Sequence, residues 1–134
     1  MSQTDRLTEL GKAIGASGKW VPRVGQAAIC YGEQRRYVGG IVWVGDEGEI
    51  ACKGRQTLID VCRRVQINGP SLADPCTLGG LLADMPAAQL FRAYGGDWTC
   101  RNPADRDSGW FWHPDRATAV SCAWLIFHGC EVPK

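Results

Sequence analysis

The residues of this chain best suited to chemistry are seven cysteines and two histidines, and their spacing decides what that chemistry is. Cys30, Cys52, Cys62, Cys76, Cys100, Cys122 and Cys130 contain no C-x-x-C pair. Zinc sites recruit ligands in close pairs such as C-x₂₋₄-C or H-x₃₋₅-H, because several donors must converge on one ion. The richest stretch is GWFWHPDRATAVSCAWLIFHGC, residues 109–130, which holds His113, His128, Cys122 and Cys130. If it is helical from Pro114 onward, the two imidazoles stand roughly 20 Å apart at about 1.5 Å per residue, and share no metal. Whether Cys100, Cys122, His128 and Cys130 converge is the ligand question that spacing leaves open. With no second close pair, the expectation is no metal and no cofactor. The cysteines are then reduced and act mostly as small buried hydrophobes.

Other catalytic signatures fail on particular positions. There is no GxSxG, and only two histidines are available as a base. GKAIGASGK resembles a phosphate loop, but Trp20 follows Lys19 where Ser or Thr is required. DRDSG, from Asp105, begins like a calcium loop, yet Arg116 stands where the bidentate Glu belongs. A non-enzymatic role follows as the expectation.

The other candidate constellation is basic and aromatic. Arg35, Arg36, Lys53, Arg55, Arg63 and Arg64 lie in the first half near Tyr31, Tyr37 and Trp43. Arg35, Arg36, Tyr37, Arg55, Arg63 and Arg64 are the candidate partner-binding residues. Arginine and aromatic side chains anchor protein interfaces, and basic residues interleaved with aromatics also suit single-stranded nucleic acid. The net charge of +1 supplies no global field towards either.

The elements that must position these residues read as α+β. Leu7, Leu10 and Ile14 follow the capping residues Ser2, Thr4 and Asp5, and predict a helix over about 4–15. QAAICYG, RRYVGGIVWVG and GEIACKG read as strands, with Gly45–Gly48 as a hairpin turn. RQTLIDVCRRVQING places Leu58, Val61, Cys62 and Val65 at helical spacing, a helix ended by Gly69-Pro70. SLADPCTLGG reads as loop before the apolar LLADM. QLFRAY and DWTCRN read as paired strands around Gly95-Gly96, and WFWH as a strand with Trp110 and Trp112 under a helix. The last helix starts at Pro114, with Asp115 in its first turn and Gly129 at its end. It presents an apolar face of Ala117, Val120, Ala123, Trp124 and Phe127, seamed by Thr118 and Ser121. Together these give one domain over 1–134: a mostly antiparallel sheet with helices packed on it, as two related strand-turn-strand-helix units of about 27–69 and 77–130. Each unit carries a Gly-Gly ahead of a tryptophan (Gly39-Gly40 with Trp43; Gly95-Gly96 with Trp98).

A 134-residue chain buries a core without staples. MSQTDRLTEL lacks a secretory pattern, and the longest apolar run, CAWLIF, is far too short to span a bilayer. The expected location is cytoplasmic, with no membrane partner.

The C-terminal half resembles small phage proteins of the NinX-like kind, whose domain is described as a phage ABA sandwich. DPCTLGGLLAD from Asp74 to Asp84, the tryptophan strand DWTCRN and the small-residue-rich helix RATAVSCAWLIFHG carry the resemblance over roughly the last 60 residues. It implies a phage or prophage origin, a cytoplasmic life in the bacterial host and α/β/α layers, and no catalytic residues. Small phage proteins of this type often bind host machinery. The expected function is therefore inhibition or redirection of a host protein complex, with an anti-CRISPR-like inhibitor as its concrete form; a nucleic-acid-binding module is the alternative.

Overall fold

The computed structural model describes residues 3–31, 36–46, 50–53, 59–62, 67–85, 89–92, 95–101 and 111–133. Its elements are α1 (Gln3–Ala16), β1 (Ala27–Tyr31), β2 (Arg36–Val44), β3 (Ile50–Lys53), β4 (Ile59–Cys62), β5 (Ile67–Pro70), α2 (Pro75–Ala83), β6 (Gln89–Arg92), β7 (Trp98–Arg101), β8 (Phe111–His113) and α3 (Arg116–Phe127). The fold is α+β. One antiparallel sheet has the order β4-β3-β2-β1-β5, and a second has the order β6-β7-β8. The expected pairing of QLFRAY with DWTCRN and the expected N-terminal helix are both present.

The first sheet is not flat, and its register shows why. The rows of Cys62 and Ile67 meet β2 at Val44 and Tyr37. In a flat sheet those corners would be about 19 Å apart across the strands and about 23 Å along them, a diagonal of roughly 30 Å. Five Cα–Cα steps of about 3.8 Å span at most about 19 Å. The sheet must therefore bend. β2 supplies the corner, since residues up to Gly40 pair with β1 and those from Gly40 onward pair with β3. A strand that passes from one half-sheet to another does so at glycine or a bulge. Gly39 meets that need: a Cβ there would stand 2.8 Å from Cys52 Cβ.

The helix expected over RQTLIDVC is absent, since Ile59–Cys62 is a strand paired in register with all of β3. Helical spacing of Leu58, Val61 and Cys62 competes there with β-branched Ile59 and Val61, and pairing to β3 decides the outcome. Gly69 does not end a helix either. It lies in β5 at φ +152°, and a Cβ on it would be 1.9 Å from the carbonyl oxygen of Gly11. Two glycines thus let the backbones of α1 and β5 touch, and Ile29 packs beneath Gly11.

SLADPCTLGG contains the start of a helix rather than a loop. Asp74 is the N-cap and Pro75 follows at the first helical position. The glycines of DPCTLGG masked that signal, because Gly79 and Gly80 weaken helix propensity. Helix α3 repeats the device, with Asp115 as its cap and Pro114, the expected first residue, just outside. In both, Asp Oδ2 accepts a hydrogen bond from the backbone N–H of a threonine three residues on and another from its hydroxyl: Thr77 at 2.9 and 2.9 Å, Thr118 at 2.9 and 2.8 Å. Thr77 Oγ1 also accepts the N–H of Ala27 at 2.9 Å, which ties α2 to β1.

Helix α3 is the centre of the molecule. It packs on α1, α2, β7 and β8, and eight of its twelve residues are buried, Thr118 and Ser121 among them. The expected one-sided apolar face is thus a helix closed almost all round, with Ala123 and Phe127 only half-buried. The Ser121 hydroxyl stays satisfied by donating to the Ala117 carbonyl at 2.6 Å. One hydrophobic cluster joins α1 (Leu10, Ile14), the first sheet (Ala28, Ile41, Ile50, Cys52), α2 (Leu78, Leu81), β7 (Cys100) and α3 (Val120, Trp124). In the second sheet the cross-strand pair Leu90–Cys100 reaches this core. Trp110 lies outside the described residues.

Candidate binding face

Cys100, Cys122 and the His128 ring are committed to packing, while Cys76 is exposed. His128 Nδ1 donates to the Trp124 carbonyl at 2.8 Å, and its ring lies on the Trp124 indole with centroids 3.9 Å apart. Cys130 Sγ donates to the His128 carbonyl at 3.7 Å. Cys100 and Cys122 are fully buried, and loss of solvation pushes both thiols up to about 11 from an ordinary 9.0; the Arg6 charge offsets this only in part at Cys122. His113 Nδ1 accepts the N–H of Asp115 at 2.9 Å and so stiffens the entry to α3. Among the described residues no group of three or more His, Cys, Asp and Glu side chains stands close enough to hold a metal.

Of the basic and aromatic candidates, Arg36 and Tyr37 are neighbours on β2, opposite Tyr31 and Cys30 of β1. Arg35, Arg55, Arg63 and Arg64 lie outside the described residues. The helix expected to carry Arg63 and Arg64 is absent over Ile59–Cys62, which pairs with β3.

What the structure gathers instead is apolar and exposed. On β2, Ile41 pairs with Cys52 and Trp43 with Ala51, which leaves Val42 as an extra residue, a β-bulge. A bulge shifts the alternation by one and re-aims the next side chain. Ile41 is buried and Val44 still packs on the core, while Val42 and Trp43 both turn outward. Trp43 is 48% exposed. Val38, in the row of Ile29, is 56% exposed.

The segment before β1 is also paired with β2. Ile41 N–H donates to the Gln26 carbonyl at 2.7 Å and Gly25 N–H donates to the Ile41 carbonyl at 3.0 Å, which extends the β1–β2 ladder backward. The segment is stapled at several points. Lys19 Nζ donates to the His128 carbonyl at 2.6 Å, at the negative end of α3. Trp20 is buried, and the Arg23 guanidinium pairs with Asp84 and donates to the Gly80 carbonyl at 3.2 Å. So held, it exposes Val21 and Val24. Five of the seven large hydrophobic residues most exposed among those described (Val21, Val24, Val38, Val42 and Trp43) therefore lie on β2 or on the segment paired with it. Lys53, exposed and opposite Gly40, stands at the margin.

The sequence holds one signal for this face. IVWV is a run of four apolar residues, and an unbroken run requires either two covered faces or a bulge. The exposure of Val21 and Val24 has no signal in the chain. No helix among the described residues is long and apolar enough to cross a membrane. No protein-family model matches this chain, and neither does any curated protein or solved structure.

Proposed function

We propose that the protein is a non-enzymatic accessory protein that binds a partner protein through the outer face of β2 and β3, with Trp43 as its anchor. In the phage setting suggested by the C-terminal resemblance, the partner is a host protein or protein complex in the bacterial cytoplasm. Inhibition of a defence complex, in the manner of an anti-CRISPR protein, is the concrete form. The observation that carries the reading is the outward turn of Trp43 at the Val42 bulge, with Val38 and Val42 also exposed on the same strand. Apolar exposure of this kind marks interaction sites, and a large aromatic among smaller contacts is the usual energetic centre. Affinity capture from host lysate, with and without nuclease, tests it: a stoichiometric protein that survives nuclease and is lost with Trp43→Ala supports the reading, and its absence removes it.

A second reading, binding of single-stranded nucleic acid, draws on the same exposed indole with Lys53 beside it. A stacking surface needs cations tracking the backbone, so its binding would weaken steeply with salt. The face is mainly valine, and that favours protein. Recovery of nucleic acid alone, lost at moderate salt, would reverse the order.

A further inference from the structure

The second sheet carries a basic and aromatic cluster that the Trp43 face does not use. Arg92, Trp98 and His113 stand opposite one another on β6, β7 and β8, so their side chains share one face of the sheet. Cys100, two residues on from Trp98, lies on that face and is fully buried in the core with Val120 and Trp124 of α3. Trp98 itself is only half-buried. Arg116, the first residue of α3, lies over it, with the guanidinium carbon 5.7 Å from the ring centre. The row therefore comes to the surface at the start of α3, and both of its arginines are exposed.

Neither arginine is neutralised. Arg92 Nε donates to the Gly96 carbonyl at 3.4 Å, and among the described residues no carboxylate pairs with Arg92 or Arg116. Asp115 is close in the chain, but its Oδ2 accepts the N–H and the hydroxyl of Thr118. His113 Nδ1 accepts the Asp115 N–H, so the neutral ring carries its proton on Nε2 and presents it as a donor. With strands about 4.8 Å apart, Arg92 and His113 stand roughly 10 Å from each other across the sheet, and Trp98 lies between them.

We propose that this row is a second binding site, for single-stranded nucleic acid. One unstacked base lies on the open part of the Trp98 indole. The phosphates on either side of that nucleotide go to Arg92 and to Arg116 with the His113 Nε2–H. Single-strand binding uses an aromatic platform with cations along the backbone. A lone small anion would engage one end of the row only, whereas a chain of phosphates with a base between them engages both. The site lies on the other sheet from Trp43 and is independent of the protein-partner reading.

The test titrates the whole protein into a fluorescein-labelled oligothymidylate of ten nucleotides, read by anisotropy between 50 and 300 mM NaCl. Arg92→Gln with Arg116→Gln is compared with Lys12→Glu on α1, which makes the same net change in charge elsewhere. The arginine variant should bind at least tenfold more weakly at the lowest salt. Its slope of log affinity on log salt should shrink by about 1.4, since each phosphate contact to a single strand contributes about 0.7. Lys12→Glu should change affinity less than threefold. Trp98→Leu should weaken binding at least fivefold with the slope unchanged, because stacking releases no counterions. A duplex of the same length, whose bases are not free to stack, should bind more weakly than the single strand. No binding at 50 mM NaCl, an equal salt slope for wild type and the arginine variant, or a duplex bound as tightly as the strand overturns the proposal. Because both arginines are exposed, their variant keeps the fold and decides the matter even if Trp98→Leu does not.

Discussion

The seat of α1 on β5 gives the sharpest stability prediction, because three glycine-to-alanine changes should differ in sign as well as size. At Gly69 a methyl would lie 1.9 Å from the Gly11 carbonyl oxygen, and the residue holds φ +152°. Reaching even a close carbon–oxygen contact of about 3.3 Å requires α1 to retreat by roughly 1.4 Å. That retreat loosens Leu10 and Ile14, both fully buried. Overpacking costs about 1–3 kcal/mol and the backbone conformation another 1–3 or so, hence about 4 kcal/mol in all. For a domain of this size the midpoint of thermal unfolding should fall by about 10 °C or more. At Gly11 the new methyl meets the Pro70 carbonyl oxygen at 2.5 Å, but in a helix. Overpacking is then offset by about 1 kcal/mol of helix propensity, and the net loss is roughly 1 kcal/mol. At Gly79, within α2, a methyl meets nothing within 4 Å. Alanine there should stabilise by about 0.5–1 kcal/mol. Urea unfolding of the three variants with wild type measures the series. Gly69→Ala within about 0.5 kcal/mol of wild type, or no less stable than Gly11→Ala, would refute the backbone contact.

Four further outcomes follow from the same structure. Asp115→Ala should cost about 1 kcal/mol of unfolding free energy through loss of the α3 cap. Thr77→Val should cost about 1–2 kcal/mol in urea unfolding, because it leaves the Ala27 N–H without the Thr77 hydroxyl as acceptor. In thiol labelling of the native protein near pH 8, exposed Cys76 should react first, and Cys100 and Cys122 only on unfolding. Because burial raises those two thiols from 9.0 to about 11, the unfolded chain ionises them first. Their contribution is full below about pH 9 and declines as pH rises towards 11, by up to roughly 1.4 kcal/mol per pH unit for each. Chemical unfolding between pH 8 and 10.5 reads the slope, and a flat or rising profile contradicts the burial.

The sequence announces most elements where period and caps agree. Leu7, Leu10 and Ile14 define α1, and Asp115 with Gly129 brackets α3. It misleads where two signals compete. Leu58, Val61, Cys62 and Val65 carry a helical period, yet Ile59–Cys62 pairs with β3, a partner outside any local window. Gly79-Gly80 hides the Asp74-Pro75 cap, although Gly80 is helical with the Gln26 amide against it. The binding face was half legible. Trp43 is one of the aromatic residues near the arginines in the chain, and only the unbroken IVWV run hints at the Val42 bulge that turns it outward. The exposure of Val21 and Val24 depends on contacts of Lys19 and Arg23 made 109 and 61 residues away, which no local pattern encodes.

The central claim is that Trp43 anchors a partner protein. An aromatic side chain of its size buries up to about 250 Å². Covering its exposed 48%, roughly 120 Å² at about 25 cal/mol/Å², contributes about 3 kcal/mol, or around 150-fold in affinity. The most direct measurement compares Trp43→Ser with Ile126→Ser, a change at an exposed apolar residue of α3, in capture of the partner from nuclease-treated lysate, after unfolding shows both variants folded. Loss of the partner with Trp43→Ser and its retention with Ile126→Ser is the predicted result. Equal retention by both variants would contradict the account.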